Sequence, residues 1–193
     1  LWDDDVLTII LNVDPKLVRC ARDGTRRWQF AHNISQTNAL PDLLTGAGQL
    51  ALVEDGDTLI KIDPDKGSIL WRTGLGVTII PRAGETMCLD AEGIYGENDG
   101  ILRSYRTDDG SLRWERHLGN DYRWRTAVCE PFLIVHPLSN QQPDDFPLWF
   151  IDPETGGPVQ KLQLGGHGAI EVHHAAGVTL VCTDDRLYGL AAM

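Results

Sequence analysis

An eleven-residue unit returns four times along this chain: VRCARDGTRRW ending at Trp28, KIDPDKGSILW ending at Trp71, SYRTDDGSLRW ending at Trp114, and FIDPETGGPVQ ending at Gln160. Its glycines, Gly24, Gly67, Gly110 and Gly156, are spaced by 43, 43 and 46 residues. A period of that length with no helical pattern inside it is the mark of propeller blades.

Each copy reads as a strand, a tight turn and a second strand. Alternating apolar and polar residues run into an Asp/Gly turn that requires positive φ at the glycine. Upstream of each lies another apolar run: VLTIIL (6–11), QLALVE (49–54), GIYGEN (93–98), FLIVHP (132–137) and VTLVCT (178–183). Short acidic turns, VDPK, EDGD, NDG and TDD, join the two. With strands A to D running from the axis outward, these runs are B, the next are C and the Trp-terminated ones are D. Strand A is expected at ETMCLD and IEVHH. Four antiparallel strands repeated radially form an all-β propeller. The expectation is a single segment over 1–193 holding about four and a half blades, with repeats ending near Trp28, Trp71, Trp114 and Gln160 and an incomplete last blade at 165–193.

The unit resembles the tryptophan-docking repeat of the PQQ-like, or quinoprotein-type, β-propeller family, roughly A-x-D-x-x-T-G-x-x-x-W. Asp63, Gly67 and Trp71 match it, as do Gly24 with Trp28, Gly110 with Trp114, and Asp152 with Thr155 and Gly156. Leu-Gly follows at Leu75-Gly76, Leu118-Gly119 and Leu164-Gly165. The resemblance implies an indole wedged between neighbouring blades with its N–H partnered. Other propeller signatures fit worse. WD-type repeats place Asp after the Trp, where this chain has Gln29, Arg72 and Glu115. The Asp-box of sialidase-like propellers would put its aromatic one residue early, on the wrong side of the strand.

The family usually closes with about eight blades, so the chain is expected to be a segment of a longer polypeptide, or to meet a second chain that supplies the rest. No apolar run is long enough for a membrane span. The net charge of −11 argues against nucleic acid, which calls for basic stripes. Most of the acid falls in turns where Asx chemistry favours it, and no stretch completes a calcium loop. Cys20, Cys88, Cys129 and Cys182 fall on separate strands and read as small hydrophobes. His173 and His174, adjacent on a strand, point to opposite faces and do not make a metal site with His167.

No nucleophile elbow, catalytic triad order or phosphate loop is present. The catalytic branch of the family carries pyrroloquinoline quinone and calcium beside a vicinal cysteine pair, and here every cysteine stands alone. The resemblance therefore implies the noncatalytic branch, which includes the outer-membrane assembly lipoprotein of bacteria. That branch implies a scaffold with protein partners, in the periplasm or otherwise exported, with no catalytic residue, cofactor or metal. The alternative is a fragment of a diverged quinoprotein-type dehydrogenase whose active-site blades lie elsewhere.

Irregularity is where a site is sought, because repetition serves the fold. The fourth blade holds most of it: a longer B–C connection, HPLSNQQPDDFP from His136 to Pro147, and Gln160 in the Trp place. Just before its strand A lies the cluster Tyr122, Arg123, Trp124 and Arg125. Loops D–A and B–C of a blade emerge on one face, so these segments are expected to be neighbours and to bind a protein partner through aromatic and Arg anchors. The competing reading makes Trp124 core. Trp28, Trp71 and Trp114 are expected to be largely buried docking residues, with Gly24, Gly67, Gly110 and Gly156 as their turn glycines.

Overall fold

A computed structural model describes residues 5–10, 15–31, 42–54, 57–75, 87–140, 145–175 and 177–191, and among them every regular element is a strand. The first sheet has three antiparallel strands, β1 (Val6–Ile10), β2 (Lys16–Cys20) and β3 (Arg26–Ala31), in chain order. The second has four, β4 (Asp42–Gly46), β5 (Gln49–Glu54), β6 (Thr58–Ile62) and β7 (Ile69–Gly74). The third repeats this with β8 (Met87–Leu89), β9 (Gly93–Asn98), β10 (Ile101–Arg106) and β11 (Leu112–His117). In the fourth, β12 (Trp124–Cys129) and β13 (Phe132–Pro137) precede β14 (Ser139–Asn140), and β15 (Phe146–Ile151) and β16 (Pro158–Leu164) complete the sheet. After β17 (Gly168–Ala169), the fifth holds β18 (Glu171–Ala175), β19 (Val178–Cys182) and β20 (Leu187–Ala191). β14 leaves its own sheet to pair antiparallel with β17 on the way into the fifth.

This is the all-β, partial propeller that the repeat implies: strands B to D, three complete blades, then A to C. Strand A of the third and fifth blades lies in ETMCLD and IEVHH. Residues 141–144 of the fourth-blade insertion, Val13-Asp14 of VDPK and Asp55-Gly56 of EDGD fall outside the described residues.

The turns explain themselves locally. The β9–β10 hairpin turns on Asp99 (φ 51°) and Gly100 (φ 72°), both in the left-handed region that a two-residue primed turn demands. At the C–D turns, Asp63 Oδ1 accepts from the amides of Asp65 (2.9 Å) and Lys66 (3.0 Å), and Asp152 Oδ1 accepts from Glu154 (2.8 Å). These backbone donors hold both carboxyls below the usual aspartate range. The first C–D turn differs. Gly67, Gly110 and Gly156 donate to the carbonyl four residues back (2.8–3.0 Å), whereas Gly24 donates to Ala21, three back. Aligning the four copies on their glycines therefore shifts the first copy's β2 by one place. In register, Arg19 faces Trp28 as Lys61 faces Trp71 and Ser104 faces Trp114.

Stability comes from the seams between sheets, because strand B is covered on both faces: Leu50 to Val53, Ile94, Tyr95 and Leu133 to Val135 have no exposed surface. The first seam packs Leu17, Trp28 and Phe30 against Leu50, Leu52, Ile60 and Ile62. The second packs Ala51, Val53 and Leu59 against Met87, Leu89, Ile94 and Tyr105. The third packs Tyr95 and Leu102 against Trp124, Leu133, Val135 and Ile151, and the fourth packs Ile134, Phe146, Leu148 and Phe150 against Ile170 and Val181. The four cysteines are free thiols on β2, β8, β12 and β19; Cys129 is buried and the others half-buried. Burial raises the Cys129 thiol to about 11, which keeps it an unreactive thiol.

Candidate functional site

Two constructions compete for the irregular and regular residues. The regular one is the dock at the outer rim of each seam. Trp28 Nε1 donates to the Pro64 carbonyl (2.7 Å), Trp71 Nε1 to Thr107 (3.0 Å) and Trp114 Nε1 to Pro153 (3.0 Å), each time in the C–D turn of the next blade. The ring then lies flat on that turn's glycine. A Cβ added at Gly67, Gly110 or Gly156 would sit 2.5, 2.7 or 2.6 Å from the rings of Trp28, Trp71 and Trp114 respectively. Those glycines thus serve twice, for positive φ and for contact, whereas Gly24 (φ 84°) has nothing within 4 Å of such a Cβ. Trp28 is 7% exposed, while Trp71 and Trp114 are half-buried with one edge at the surface. The repeat's cation joins the dock: Arg19 Nη1 donates to the same Pro64 carbonyl (2.6 Å) and Lys61 Nζ to the same Thr107 carbonyl (3.4 Å). The cross-strand register that places these cations opposite the indoles was the available signal, and the glycine-based alignment hid it. Gln160, half-buried on β16, stands opposite Phe150.

The irregular construction lies on the opposite, D–A and B–C face. The Leu138 amide donates to the Arg123 carbonyl (2.7 Å), and the Ile170 amide donates to the Leu138 carbonyl (3.1 Å). This backbone chain ties the connection into blade four, its B–C insertion and the entry to blade five, and the β14–β17 pair extends it. The sequence-singled segments are thereby neighbours. Between them and the β9–β10 hairpin opens a cleft of about 550 Å³ lined by Glu97, Asp99, Asn120, Tyr122, Arg123 and Arg125 among others.

Within the cluster the four residues divide. Trp124 is core: 4% exposed, its indole N–H donating to the Gly119 carbonyl (2.9 Å), its ring edge-on to Tyr122 (5.3 Å) and to Trp149 (5.9 Å). Lys161 Nζ sits 3.6 Å over the Trp149 ring, ending that aromatic row. Arg123 is exposed, Tyr122 and Arg125 are half-buried, and all three line the cleft. Trp124 therefore acts on the cleft as its floor, by holding Tyr122.

Sequence reading passed over Glu97, at the end of strand B. It is 6% exposed, and its Oε1 accepts from the Gly100 amide (2.8 Å) at the cleft's rim. Burial pushes its carboxyl upward, and the Gly100 hydrogen bond and the charge of Arg123 act against that. A glutamate at the end of an apolar strand B, followed by an NDG turn, was the signal. Behind the cleft, Arg125 also borders a smaller cavity of about 310 Å³ between blades four and five, shared with Thr126, His136, Glu171 and His173. His136 Nδ1 lies 2.7 Å from the Pro137 carbonyl, and burial lowers its pKa to about 4, with Arg125 adding to the effect. The Thr126 hydroxyl is buried there with no hydrogen-bond partner. Among the described residues no three His, Cys, Asp or Glu side chains come together to hold a metal, and the side chain of His174 is outside them. The arrangement offers hydrogen bonds and charge of both signs.

Comparison with known proteins supports the same architecture. No curated protein matches in sequence. Among solved structures, BamB from Moraxella catarrhalis is 19% identical with a TM-score of 0.62, covering 100% of this chain and 60% of that one. This chain thus spans about three fifths of that protein's length. The computationally designed Ika8 protein is 12% identical with a TM-score of 0.63, over 96% of this chain and 58% of its own. Apo AztD from Citrobacter koseri is 15% identical with a TM-score of 0.58, over 88% of this chain and 47% of its own. At such identities these likenesses speak for the fold. The family model described as outer membrane protein assembly factor BamB, however, matches residues 16–128, more than half of the sequence and all three docking tryptophans, and the chain belongs to that family of PQQ-like β-propellers.

Proposed function

We propose that this chain is a noncatalytic scaffold that holds a protein partner within a larger protein or assembly, and that it does so in an exported, periplasmic setting. In this reading residues 1–193 are one propeller segment, whose regular docks carry the fold and whose irregular face carries the partner. The observation that supports it most is that two departures from the repeat, the Tyr122–Arg125 cluster and the start of the β13–β15 insertion at Leu138, meet on one open cleft, with the β14–β17 pair running on from Leu138. Membership of the BamB family favours protein partners over substrates. Tyr122 and Arg123 are the contact residues, of the types that anchor interfaces, with Arg125 deeper and Trp124 beneath them. Nothing in this reading calls on a cofactor.

The test is quantitative partner capture from the native envelope fraction by cross-linking and affinity purification. A Tyr122→Ala, Arg123→Ala variant is expected to weaken capture by about 2 kcal/mol, near thirtyfold, while keeping its unfolding midpoint. Capture unchanged in that variant would remove the face from the interface.

A further inference from the structure

One place in strand B changes character from seam to seam. Val53 pairs with Leu59 and Glu97 with Leu102, and each leucine lies two residues before the irregularity in its C–D ladder, so the two places are equivalent. His136 follows Val135, the partner of Trp149, and holds that place in the fourth blade. Val53 has no exposed surface and packs with Leu44, Met87 and Leu89, which closes the second seam with apolar atoms. Glu97 is buried at the equivalent point of the third seam, where the cleft opens. Burying a carboxylate where the repeat accepts a valine costs stability, and so calls for a reason beyond the fold.

The fold accounts for half of that carboxylate. Oε1 caps the β9–β10 turn through the Gly100 amide. Among the described residues no hydrogen bond or ion pair reaches Oε2, and that atom is not sealed from solvent. Since Glu97 lines the cleft, the cleft is where this oxygen is reached. Its position is fixed: the Leu118 amide donates to the Gly100 carbonyl (2.7 Å), and a Cβ on Gly100 would overlap the Gly119 carbonyl, so the hairpin and the connection into blade four hold each other. Asp99, exposed on the same turn, adds a second carboxylate at the rim. Tyr122 brings an aromatic wall. The row it begins, through Trp124 and Trp149, carries the Lys161 cation at its far end, while its near end borders the cleft.

We infer that this cleft takes a basic side chain, lysine or arginine, from the protein partner, with Glu97 Oε2 and Asp99 receiving its charge and Tyr122 flanking it. This rests on the scaffold reading above, which places the partner at the cleft, and adds what the partner brings there. A buried carboxylate oxygen without a donor gains more from a cation than an exposed one does, because little water is left to compete. A net charge of −11 draws a basic partner toward the chain from a distance. Arg123 and Arg125 line the cleft from the fourth blade and turn away a cation entering on their side, which directs it to the hairpin side. An aromatic ring beside the bound cation adds to the contact.

The test is an amide NMR titration of the isotope-labelled chain, read at Gly100, whose N–H is bonded to Glu97. The probes are a short acetylated peptide with one arginine among glycines, the same peptide with neutral citrulline in place of arginine, and spermidine as a cation not carried on a chain. The arginine peptide is expected to move the Gly100 signal with a dissociation constant of about 1 mM, and the citrulline peptide to bind about tenfold more weakly or worse. Glu97→Gln, which keeps an acceptor for Gly100, is expected to weaken arginine binding about tenfold, and Asp99→Asn at the exposed rim about threefold, both with unchanged circular dichroism. Equal binding by the citrulline peptide, arginine binding that Glu97→Gln leaves intact, or a Gly100 signal moved by spermidine alone or by no probe would each overturn the inference. None of these touches the scaffold reading, which stands or falls on capture by the Tyr122→Ala, Arg123→Ala variant.

Discussion

The first three seams and the fourth solve one packing problem by different means. Between blades one and four, a tryptophan leaves strand D, crosses the seam, lies on a glycine and donates its N–H to the turn beyond. Between blades four and five no indole is supplied, because Gln160 stands in that place. There the seam relies on Phe146, Phe150, Ile170 and Val181, with Phe132 edge-on to Phe150 at 6.0 Å, and on the backbone tie through Leu138 and β14. A repeated dock secures the rim of a seam at small cost in sequence. A seam freed from it needs bulkier strands, but its loops can then build a cleft.

The largest way to break this comparison is to remove an indole. Trp28→Ala is expected to cost about 4 kcal/mol, read from urea midpoints, because a buried ring and its hydrogen bond are lost together. A loss under about 1 kcal/mol would mean the docks are not what binds the blades. Next, Gly67→Ala, which forces a side chain into the Trp28 ring and strains a positive φ, is expected to cost about 3 kcal/mol. Gly24→Ala, with the same strain and open space, is expected to cost only about 1 kcal/mol. Equal costs would reduce the repeat's glycines to a turn requirement.

The fourth seam is sharpened by pH. His136 faces it with Arg125 on its own sheet and Glu171 and His173 on the fifth. Its folded pKa of about 4 lies below the unfolded value of 6.5, so the unfolded chain takes up a proton first as pH falls. Its contribution is complete above pH 6.5 and is lost between there and about 4. The expected loss is about 2 kcal/mol by pH 5, and His136→Gln should flatten that part of the stability curve. An unchanged slope would place the acid sensitivity elsewhere. An effect as small as that of Gly24→Ala is expected from Trp71→Phe. It keeps most of the packing but leaves Thr107 with Lys61 as its remaining donor, and should cost about 1 kcal/mol.

Legibility followed repetition. The glycines and tryptophans could be read because one environment, met three times, leaves one pattern three times. Arg19 and Lys61 escaped because a turn shorter by one residue put them out of step, and only the ladder realigned them. The cluster ahead of β12 was visible as composition, but its inner order was not. All four line the cleft, but Trp124 is buried as its floor while Tyr122, Arg123 and Arg125 stand more open, since alternation along a strand cannot say which face is covered until the neighbouring sheet is placed.

By itself, then, the sequence determined the all-β blades, their period, their order and the docks, all of which depend on residues a few positions apart and on turns that only Gly and Asp satisfy. The tertiary structure decided what lies between distant segments. It brought Glu97 beside Arg123 and joined Leu138 to Ile170. Contacts that occur once, between residues far apart in the chain, leave no period to read; they exist only where packing brings the sheets together.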